Sequence, residues 1–469
     1  MSATSVSGLS ASPAGRALGN KLDSIPFSGY HILIILALGL VGFVEGYDLA
    51  LSGTLLVLAK GPLQLTAPQV RWLAVAPTIM IVVGGFIASA ISDHLNRKVI
   101  MQIGVILTTF FTLLIPLSQS GGQLIVIRMA TGIGVGFAIS AAFPIAAELM
   151  PAQHRRTYGA IYEIMLASAF TLLPFVSFLL ADDPNGFRLA ALPGGLALFV
   201  VPVVVHFVVP QSSRWQLRRG EVEAAVDTVN QVIRRSGNRV APLTVEALGP
   251  NLPTTHEDLP PFRALFARGQ LRWTSVGIIS GIAAGTAYYM IAVLLPKALH
   301  DQGAAVTMSF GISTLVFMAT IPGKAFTAYL MEIIGRRWTI AYALAGSFPG
   351  LILMATAHLA GPSANVLMSA GAMITGFTVL SAFPATRVYL SEQFPTALRG
   401  RGHIFGEAFG RIFAGVLAPF LVEPYTGSAP IFFGTIVVVA LLGAFVPLLF
   451  GKETVGQLET VAELSPEFA

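Results

Sequence analysis

Asp93–Lys98 (DHLNRK) is a short charged turn between two long apolar runs, and Glu332–Arg337 (EIIGRR) is a similar turn in the second half of the chain. Each turn is followed, after two more apolar runs, by a stretch that leads from an acid through a proline to an arginine. These stretches are Glu148–Arg155 (ELMPAQHR) and Glu392–Arg399 (EQFPTALR). Charged turns that occur twice between hydrophobic spans indicate a membrane protein built from two related halves, an architecture typical of transporters.

The composition points to lipid rather than water around most of the folded chain. Only 11% of the 469 residues are charged and 54% are hydrophobic, whereas a soluble domain carries about 25% charged residues. The chain has no cysteine, which excludes disulfides, thiol catalysis and cysteine-ligated metals. The sequence contains no His or Asp cluster at metal-ligand spacing and no phosphate-binding loop. We therefore expect a protein that is not an enzyme and has no metal, no cofactor and no nucleic acid partner.

Long apolar runs predict twelve transmembrane helices, because about 20 apolar residues are needed to cross a bilayer as a helix. The predicted spans are residues 31–59, 70–91, 99–118, 122–147, 157–180, 188–209, 273–297, 305–331, 338–358, 363–388, 402–423 and 429–450. The predicted fold is an all-α membrane protein with two pseudo-symmetric six-helix bundles. Its predicted parts are a disordered tail at 1–29, bundles at 30–209 and 273–450, a linker at 210–272 with an amphipathic helix near 219–235, and a tail at 451–469.

Lysine and arginine are concentrated in alternate loops of this pattern. The loops that share a side with the linker hold Arg97, Lys98, Arg155, Arg156, Arg336, Arg337, Arg399 and Arg401. The opposite loops hold only Lys60, Arg71, Arg188 and Lys297. Loops rich in these cations stay on the cytoplasmic side. We therefore predict a multi-pass protein of the plasma (inner) membrane with both termini and the linker in the cytoplasm.

Five short motifs occur in the order and spacing of one transporter family. They are Ser89–Lys98 (SAISDHLNRK), the glycine-rich stretch from Arg128 to Glu148, Pro210–Trp215 (PQSSRW), Tyr389–Gly400 (YLSEQFPTALRG) and Glu453–Glu459 (ETVGQLE). Together they resemble the major facilitator superfamily along nearly the whole chain, and within it the sugar porters and metabolite:proton symporters. The first motif departs from the superfamily pattern G-x-L-x-D-R-x-G-R-K, because Ser89 and Asn96 replace its two glycines.

Two further motifs resemble the branch that carries aromatic acids. Glu45–Asp48 (EGYD) in span one is similar to the D-G-x-D of aromatic-acid:proton symporters. Gly410 and Arg411, followed by Pro419 in span eleven, are similar to the R-x-G…P pattern of metabolite and aromatic-acid symporters. The resemblance implies the major facilitator fold and a secondary transporter that moves small carboxylates by alternating access.

Charged residues inside the spans need a reason, since each costs at least about 2.5–3.5 kcal/mol at mid-helix on insertion scales. Asp48 and Arg128 lie at comparable depth in spans one and four, so an ion pair between them is geometrically reasonable. The resemblance to sugar symporters implies that they form the proton-coupling pair, because burial favours the protonated acid when the arginine moves away. Two alternatives stand beside it: a static ion pair, and proton binding at Glu45 with Asp48 only positioning Arg128.

Two acids occupy equivalent positions in the repeat. Glu163 lies eight residues after Arg155, and Glu407 lies eight residues after Arg399. The sugar-porter likeness implies that Glu163 faces the substrate, and the repeat extends this role to Glu407. A structural role near the cytoplasmic end of each helix is the alternative.

Cations and aromatic residues complete the candidate substrate site. Arg411 lies close to the membrane midplane, and an arginine can grip a carboxylate through two hydrogen bonds; neutralising Glu407 at i, i+4 is its alternative role. Lys324 is a second candidate cation, unless its side chain extends to the cytoplasmic surface. Tyr288 and Tyr289 in span seven either stack on a substrate ring or serve packing.

Charges at the cytoplasmic ends of the spans form a candidate gate. We predict that they pair when this side is shut, stabilise the outward-open form and separate on inward opening, although each boundary pair contributes only about 0–1 kcal/mol. Setting the topology alone is the alternative role. The gate residues are Asp93, Arg97, Glu148, Arg155, Glu332, Arg336, Glu392 and Arg399.

The leading functional hypothesis is a proton-coupled symporter that imports a small organic acid, with an aromatic carboxylate favoured. Its partners are then the substrate, protons and the lipid bilayer, and it functions as a monomer. A sugar or polyol symporter and a proton-driven exporter of drugs or metabolites are the alternatives within transport. A sensor that does not transport is the alternative outside it.

Overall fold

The computed structural model describes residues 13–92, 94–151, 155–237, 239–249, 265–394 and 396–453. Its membrane helices fall into two sets on either side of the linker. In the N-terminal half, spans one to six are formed by Gly29–Leu58, Ala67–Ile91, Arg97–Leu114, Gly121–Leu149, Arg155–Leu179, and Gly186–Leu196 with Val201–Val208. In the C-terminal half, spans seven to twelve are formed by Arg268–Tyr289 with Leu295–Asp301, Val306–Ile333, Arg336–Ala345 with Phe348–Thr356, Ala364–Thr378 with Ala382–Glu392, Thr396–Ile412 with Ala418–Val422, and Ala429–Phe450.

One long helical stretch accounts for two crossings. Eleven stretches of the described chain are long and apolar enough to cross a membrane, and one of them, Arg336–Leu390, has 55 residues. A tight 3-10 turn at Ala357–Ser363 interrupts it, and there Gly361 has φ 54° and ψ −121°, a conformation that glycine adopts far more readily than other residues. The predicted all-α membrane fold is confirmed, and with this break the described chain makes twelve crossings.

Two spans of the C-terminal half contain a wide turn. Span seven passes through a π-helical turn at Met290–Leu294, and span eleven passes through one at Phe413–Leu417. Pro296 and Pro419 follow these turns, and proline cannot donate the backbone hydrogen bond of a regular helix. Isolated wide turns of this kind are frequent at functional sites, which directs attention to the middle of spans seven and eleven.

The outward-facing surface of the helices is apolar, as a lipid-facing surface has to be. Leu179 and Leu449, for example, are 65% and 67% exposed. Charged side chains lie inside instead, and the largest fully buried side chain is that of Arg128. The interior of the helix bundle is therefore where polar chemistry is concentrated.

The prediction of a disordered tail at residues 1–29 is wrong for Pro13–Asp23, which form a helix. Ala14, Leu18 and Leu22 recur every four residues and are buried, so they form an apolar stripe that packs on the linker. The Ser-, Ala- and Gly-rich composition concealed this short periodic stripe. The part of the predicted tail before this helix lies outside the described residues.

The amphipathic linker helix runs over Val222–Arg235 and does not begin at residue 219. Gly220 has φ 76° and separates it from a short helix at Ser213–Arg218, because a left-handed residue ends a helix. Its apolar face packs on this short helix and on the helix at Pro13–Asp23, so it is covered by protein. The buried residues of that face are Ala225, Val226, Val229, Val232 and Ile233.

The beginning of the predicted tail at residues 451–469 is held against span nine. The Glu453 carboxylate accepts hydrogen bonds from the backbone N–H groups of Arg336 (2.9 Å) and Arg337 (3.2 Å). These are the first residues of the helix, where a negative charge complements the helix dipole. Residues after Glu453 lie outside the described part of the chain.

Candidate functional site: a buried charge cluster between the two halves

Charged side chains of alternating sign form a continuous chain of contacts inside the spans. We call this group the central cluster. All its described carboxylates and cations are mostly or fully buried, and a buried charge is tolerated in a membrane only when it is paired or faces a polar interior. The members, in the order of their contacts, are Glu45, Arg411, Glu407, Arg387, Glu163 and Lys324.

The first link joins span one to span eleven. Arg411 Nη2 lies 3.3 Å from Glu45 Oε1, and Arg411 Nη1 donates to the Tyr289 hydroxyl at 3.1 Å. The other oxygen of Glu45 accepts a hydrogen bond from the Tyr162 hydroxyl at 2.7 Å. An acid of the N-terminal half therefore neutralises an arginine of the C-terminal half.

The second link joins span five to spans eight and ten. Glu163 Oε1 accepts from Arg387 Nη1 at 3.1 Å, and Glu163 Oε2 accepts from Lys324 Nζ at 2.7 Å. Arg387 also holds Glu407 through two hydrogen bonds, of 2.8 and 3.1 Å. This bidentate geometry is the strong form of an arginine–carboxylate pair.

These contacts decide several of the sequence alternatives. Lys324 does not extend to the cytoplasmic surface, because its side chain is 3% exposed and bonded to Glu163. Neutralisation of Glu407 accounts for only the longer contact of Arg411, whose Nε lies 3.8 Å from Glu407 Oε2. The substrate-binding roles of these residues stay predictions.

Arg387 is the functional candidate that the sequence reasoning missed. It lies one residue before the end of the predicted span 363–388, and the sequence analysis gives it no role. The helix continues to Glu392, which puts Arg387 inside the protein between Glu163 and Glu407. Spans five and eleven contain more buried acids than predicted cationic partners, and this imbalance could have directed attention to Arg387.

A small cavity lies beside the central cluster in the C-terminal half. It has a volume of about 20 Å³, room for about one water molecule. Spans seven, ten and eleven line it with two glycine pairs, a phenol, a phenyl ring, both guanidinium groups and a carboxylate. These residues include Gly281, Gly285, Gly406, Gly410, Tyr289, Phe383, Arg387, Glu407 and Arg411.

The two tyrosines of span seven have different surroundings. Tyr289 lines the cavity and accepts from Arg411. Tyr288 stacks on Phe383 with 4.9 Å between ring centroids and meets Phe170 edge-on at 5.6 Å. Tyr288 is therefore packed among aromatic rings, whereas Tyr289 borders the cavity and binds Arg411.

Asp48 and Arg128 form a separate buried ion pair between spans one and four. Arg128 Nη2 also donates to the Asp48 backbone carbonyl at 2.7 Å and to the Ser52 hydroxyl at 2.8 Å, and Nη1 donates to the Thr131 hydroxyl at 2.9 Å. Asp48 Oδ2 is buried and has no hydrogen-bond partner among the described residues. The contacts to Arg128 thus engage one carboxylate oxygen of Asp48, and its proton-coupling role stays a prediction.

The candidate gate residues form two ion pairs on the linker face, the side of the membrane that carries the linker. Arg97 contacts Glu148, and Glu148 Oε2 accepts from the Ser212 hydroxyl of the linker at 2.5 Å. Arg336 Nε lies 3.2 Å from Glu392 Oε2. Each pair joins spans of the same half.

The structure describes less of the other gate residues. Glu332 is exposed at the end of span eight. Asp93 lies outside the described residues, and so do the side chains of Arg155 and Arg399. The gating role of the whole set stays a prediction.

A further ion-pair group joins the two halves at the opposite face, away from the linker. Glu423 at the end of span eleven lies 3.4 Å from Arg71 of span two and 3.2 Å from Lys297 of span seven. Lys297 also contacts Asp301. We call these four residues the opposite-face cluster; the sequence reasoning had counted two of its cations only as loop charges.

Comparisons with known proteins agree with this architecture. The family model described as Major Facilitator Superfamily matches residues 38–320 and 277–465. The chain is 25% identical over 457 residues to the niacin transporter NiaP of Acinetobacter baylyi, which covers 95% of this chain and 99% of that protein. It is 24% identical over 403 residues to the gallate transporter of Pseudomonas putida, with 84% and 87% covered.

The fold is also that of a solved transporter. The partially occluded inward open conformation of the xylose transporter XylE from E. coli matches with a TM-score of 0.71 and 17% sequence identity, over 91% of this chain and 99% of that chain. At this identity the likeness concerns the fold alone. The family match, however, extends over most of the sequence, and the chain therefore belongs to the Major Facilitator Superfamily, as a multi-pass membrane transporter and not an enzyme.

Proposed function

We propose that the chain is a secondary active transporter that imports a small organic acid, an aromatic carboxylate, together with protons by alternating access. One observation carries the proposal: the C-terminal half contributes three cations to the central cluster, Lys324, Arg387 and Arg411, but only one acid. A surplus of buried positive charge is costly in a membrane. In this conformation Glu45 and Glu163 of the N-terminal half balance it. When relative motion of the halves separates these pairs, the cations can receive an anion instead, and guanidinium groups suit a carboxylate.

The cavity beside the cations supports an aromatic ligand. Phe383 lies under the Arg387 guanidinium, 4.5 Å from the ring centroid, and Tyr289 is on the neighbouring span. A Cβ added at Gly281 or at Gly410 would meet no atom within 4 Å, so neighbouring atoms do not fill these two positions of the wall; a flat ring requires a wider form of this cavity, which has the size of about one water molecule here. Niacin and gallate, for which two relatives are named, are both aromatic carboxylic acids.

The proposal assigns proton binding to the buried acids of span one. Asp48 contacts Arg128 and Glu45 contacts Arg411. An acid that loses its cationic partner in a poorly solvated interior favours its protonated form. Movement of spans four or eleven relative to span one therefore supplies a physical link between conformation and proton binding.

We place the protein in the inner membrane with its linker face in the cytoplasm, as the arginine distribution predicts. We expect a single chain to be the functional unit, because both halves of the central cluster come from the same polypeptide. The gate residues of the linker face are proposed to hold the outward-open form.

The test is uptake into proteoliposomes of labelled nicotinate, benzoate, gallate and xylose, with and without an inwardly directed proton gradient. We expect at least one of the carboxylates to accumulate and the accumulation to depend on the gradient. Arg411→Gln should lower carboxylate uptake by about 100-fold, because truncating one partner of a buried charge pair costs 2–5 kcal/mol or more.

Arg234→Gln is the matched control, since it removes an exposed arginine of the linker helix and should leave uptake unchanged. Xylose uptake without uptake of any carboxylate would show that the substrate is a sugar and not an organic acid. Carboxylate uptake that does not depend on the pH difference would show that transport is not coupled to protons.

A further inference from the structure

The charges of the central cluster balance only when both halves are counted. The N-terminal half contributes two acids, Glu45 and Glu163. The C-terminal half contributes three cations and Glu407, and so carries a surplus of two positive charges that the two acids neutralise. A carboxylate that enters this site adds one negative charge to six described side chains whose formal charges already cancel. An uncompensated charge in a buried site is strongly unfavourable, so its entry has to be accompanied by a change elsewhere in the cluster.

The two acids of the N-terminal half are held to different degrees. Glu163 accepts from two cations, Lys324 at 2.7 Å and Arg387 at 3.1 Å. Glu45 contacts one cation among the described residues, Arg411, and that distance is 3.3 Å. Glu45 is therefore the acid that an incoming anion displaces more easily.

The cavity borders both Arg411, the cation that Glu45 binds, and Arg387, one of the two cations that Glu163 binds. Neither Glu45 nor Glu163 lines it. The Arg411 guanidinium group thus borders the cavity and also binds an internal carboxylate that does not line the cavity. A ligand carboxylate and Glu45 compete for one partner.

We propose that Glu45 is an internal counter-anion that the substrate carboxylate displaces from Arg411, and that the displaced Glu45 takes up one proton. The inference rests on the proposed function and deepens it, because it links one proton to each carboxylate within the binding site itself. The proton comes from water in the open access path and binds to the carboxylate oxygen that Arg411 releases. The hydroxyl group of Tyr162 remains bonded to the other oxygen.

Among the described residues, Arg411 is the one cation within ion-pair distance of Glu45. Tyr158 and Tyr162 face it from span five, and Tyr288 and Tyr289 face it from span seven. Arg387 of span ten also acts on it electrostatically, while the guanidinium group of Arg387 donates hydrogen bonds to Glu163 and Glu407. Asp48, on the same span, is already paired with Arg128. Phenols do not neutralise a carboxylate, so a proton is the partner that remains.

The experiment measures protons bound per carboxylate bound. Purified protein in detergent is titrated with nicotinate and with benzoate by calorimetry in buffers of different ionisation enthalpy. We expect uptake of about one proton per carboxylate near neutral pH, and by linkage an affinity that falls about tenfold for each unit of rising pH. A wild-type proton number of zero overturns the proposal without any variant.

The Glu45→Gln variant separates this mechanism from a structural role. With the internal competitor removed, the affinity for the carboxylate at neutral pH should rise by about tenfold or more, and both the proton uptake and the pH dependence should disappear. A residue that only supported the fold would weaken binding instead. Proton uptake that persists in Glu45→Gln contradicts the proposal.

Two further variants keep the test decisive. Glu221→Gln makes the same change at an exposed acid and should keep the wild-type proton number. If Glu45→Gln does not fold, Glu45→Asp retains a carboxylate and should retain the proton uptake; its loss there counts against the proposal. Absence of carboxylate binding to the wild type contradicts the proposed function, whereas binding without Glu45-dependent proton uptake contradicts only this inference.

Discussion

The central cluster and the linker-face pairs are built from the same residue types, yet they connect different parts of the molecule. In the central cluster, acids of the N-terminal half bind cations of the C-terminal half, as Glu45 does with Arg411. At the linker face, Arg97–Glu148 and Arg336–Glu392 each join spans of one half. Relative motion of the two halves therefore has to break pairs of the first kind and can leave the second kind intact.

The internal repeat shows the same difference inside the cluster. Glu163 and Glu407 occupy equivalent positions in the two halves. Glu163 binds cations of the other half, Lys324 and Arg387, whereas Glu407 binds Arg387 and Arg411 of its own half. Duplication kept the acid and changed its partners, so a role cannot be transferred between repeats from position alone.

The largest effect on stability is expected for Glu163→Gln. It leaves Lys324 and Arg387 without the carboxylate that joins them to the N-terminal half, and breaking a buried pair costs about 3–5 kcal/mol. The measurement is the unfolding free energy, or the shift in melting temperature, of the protein in detergent. The double variant Glu163→Gln with Lys324→Gln should recover part of the loss, because it removes one of the stranded charges.

Glu148→Gln is the matched change at the linker face. Its carboxylate has one arginine and one serine as partners, and the loss should stay near 1–3 kcal/mol. Equal losses for the two glutamates would remove the distinction between pairs that cross the halves and pairs that do not.

A smaller effect is expected at the opposite-face cluster. Glu423→Gln weakens contacts to Arg71 and Lys297 across the halves. Arg71 is 35% exposed, so its contact contributes up to about 1 kcal/mol, and the buried Lys297 keeps Asp301 as an acidic partner. We expect the population that is open on this face to rise up to about fivefold. Because the chain has no cysteine, a single Thr386→Cys in the cavity lining can report access to an impermeant maleimide from either face.

The smallest effect on access is expected for Glu148→Gln in the same labelling experiment. If the linker-face pairs hold the outward-open form, this change should raise labelling from the linker face, in the direction opposite to Glu423→Gln. The effect should be about twofold, since a pair within one half acts on the opening equilibrium only through the positions of its spans. A shift in the same direction as Glu423→Gln, or none, would remove the gate role of Glu148.

The sequence predicted the fold because the apolar runs and the arginine-rich loops are local properties. The sequence also predicted the ion pair between Asp48 and Arg128. Both residues lie at a similar depth in their spans, and the family resemblance implies that these spans are neighbours. The sequence did not predict that Glu45 binds Arg411, because partner choice across the halves depends on how the two bundles meet. Arg387 was lost for a different reason: hydropathy marks where a span leaves lipid, not where a helix ends inside protein.

The wide turns of spans seven and eleven have a consequence for how the two ends of each span are aligned. A π-helical turn takes in one residue more than an α-helical turn between its bonded groups, and one residue corresponds to about 100° of rotation. In span seven, Met290–Leu294 separates Tyr289, which faces the cavity, from Lys297 in the opposite-face cluster. Deleting a single residue there would straighten the helix and rotate its two ends relative to each other. The extra residue therefore sets the angle between Tyr289 at the cavity and Lys297 in the opposite-face cluster.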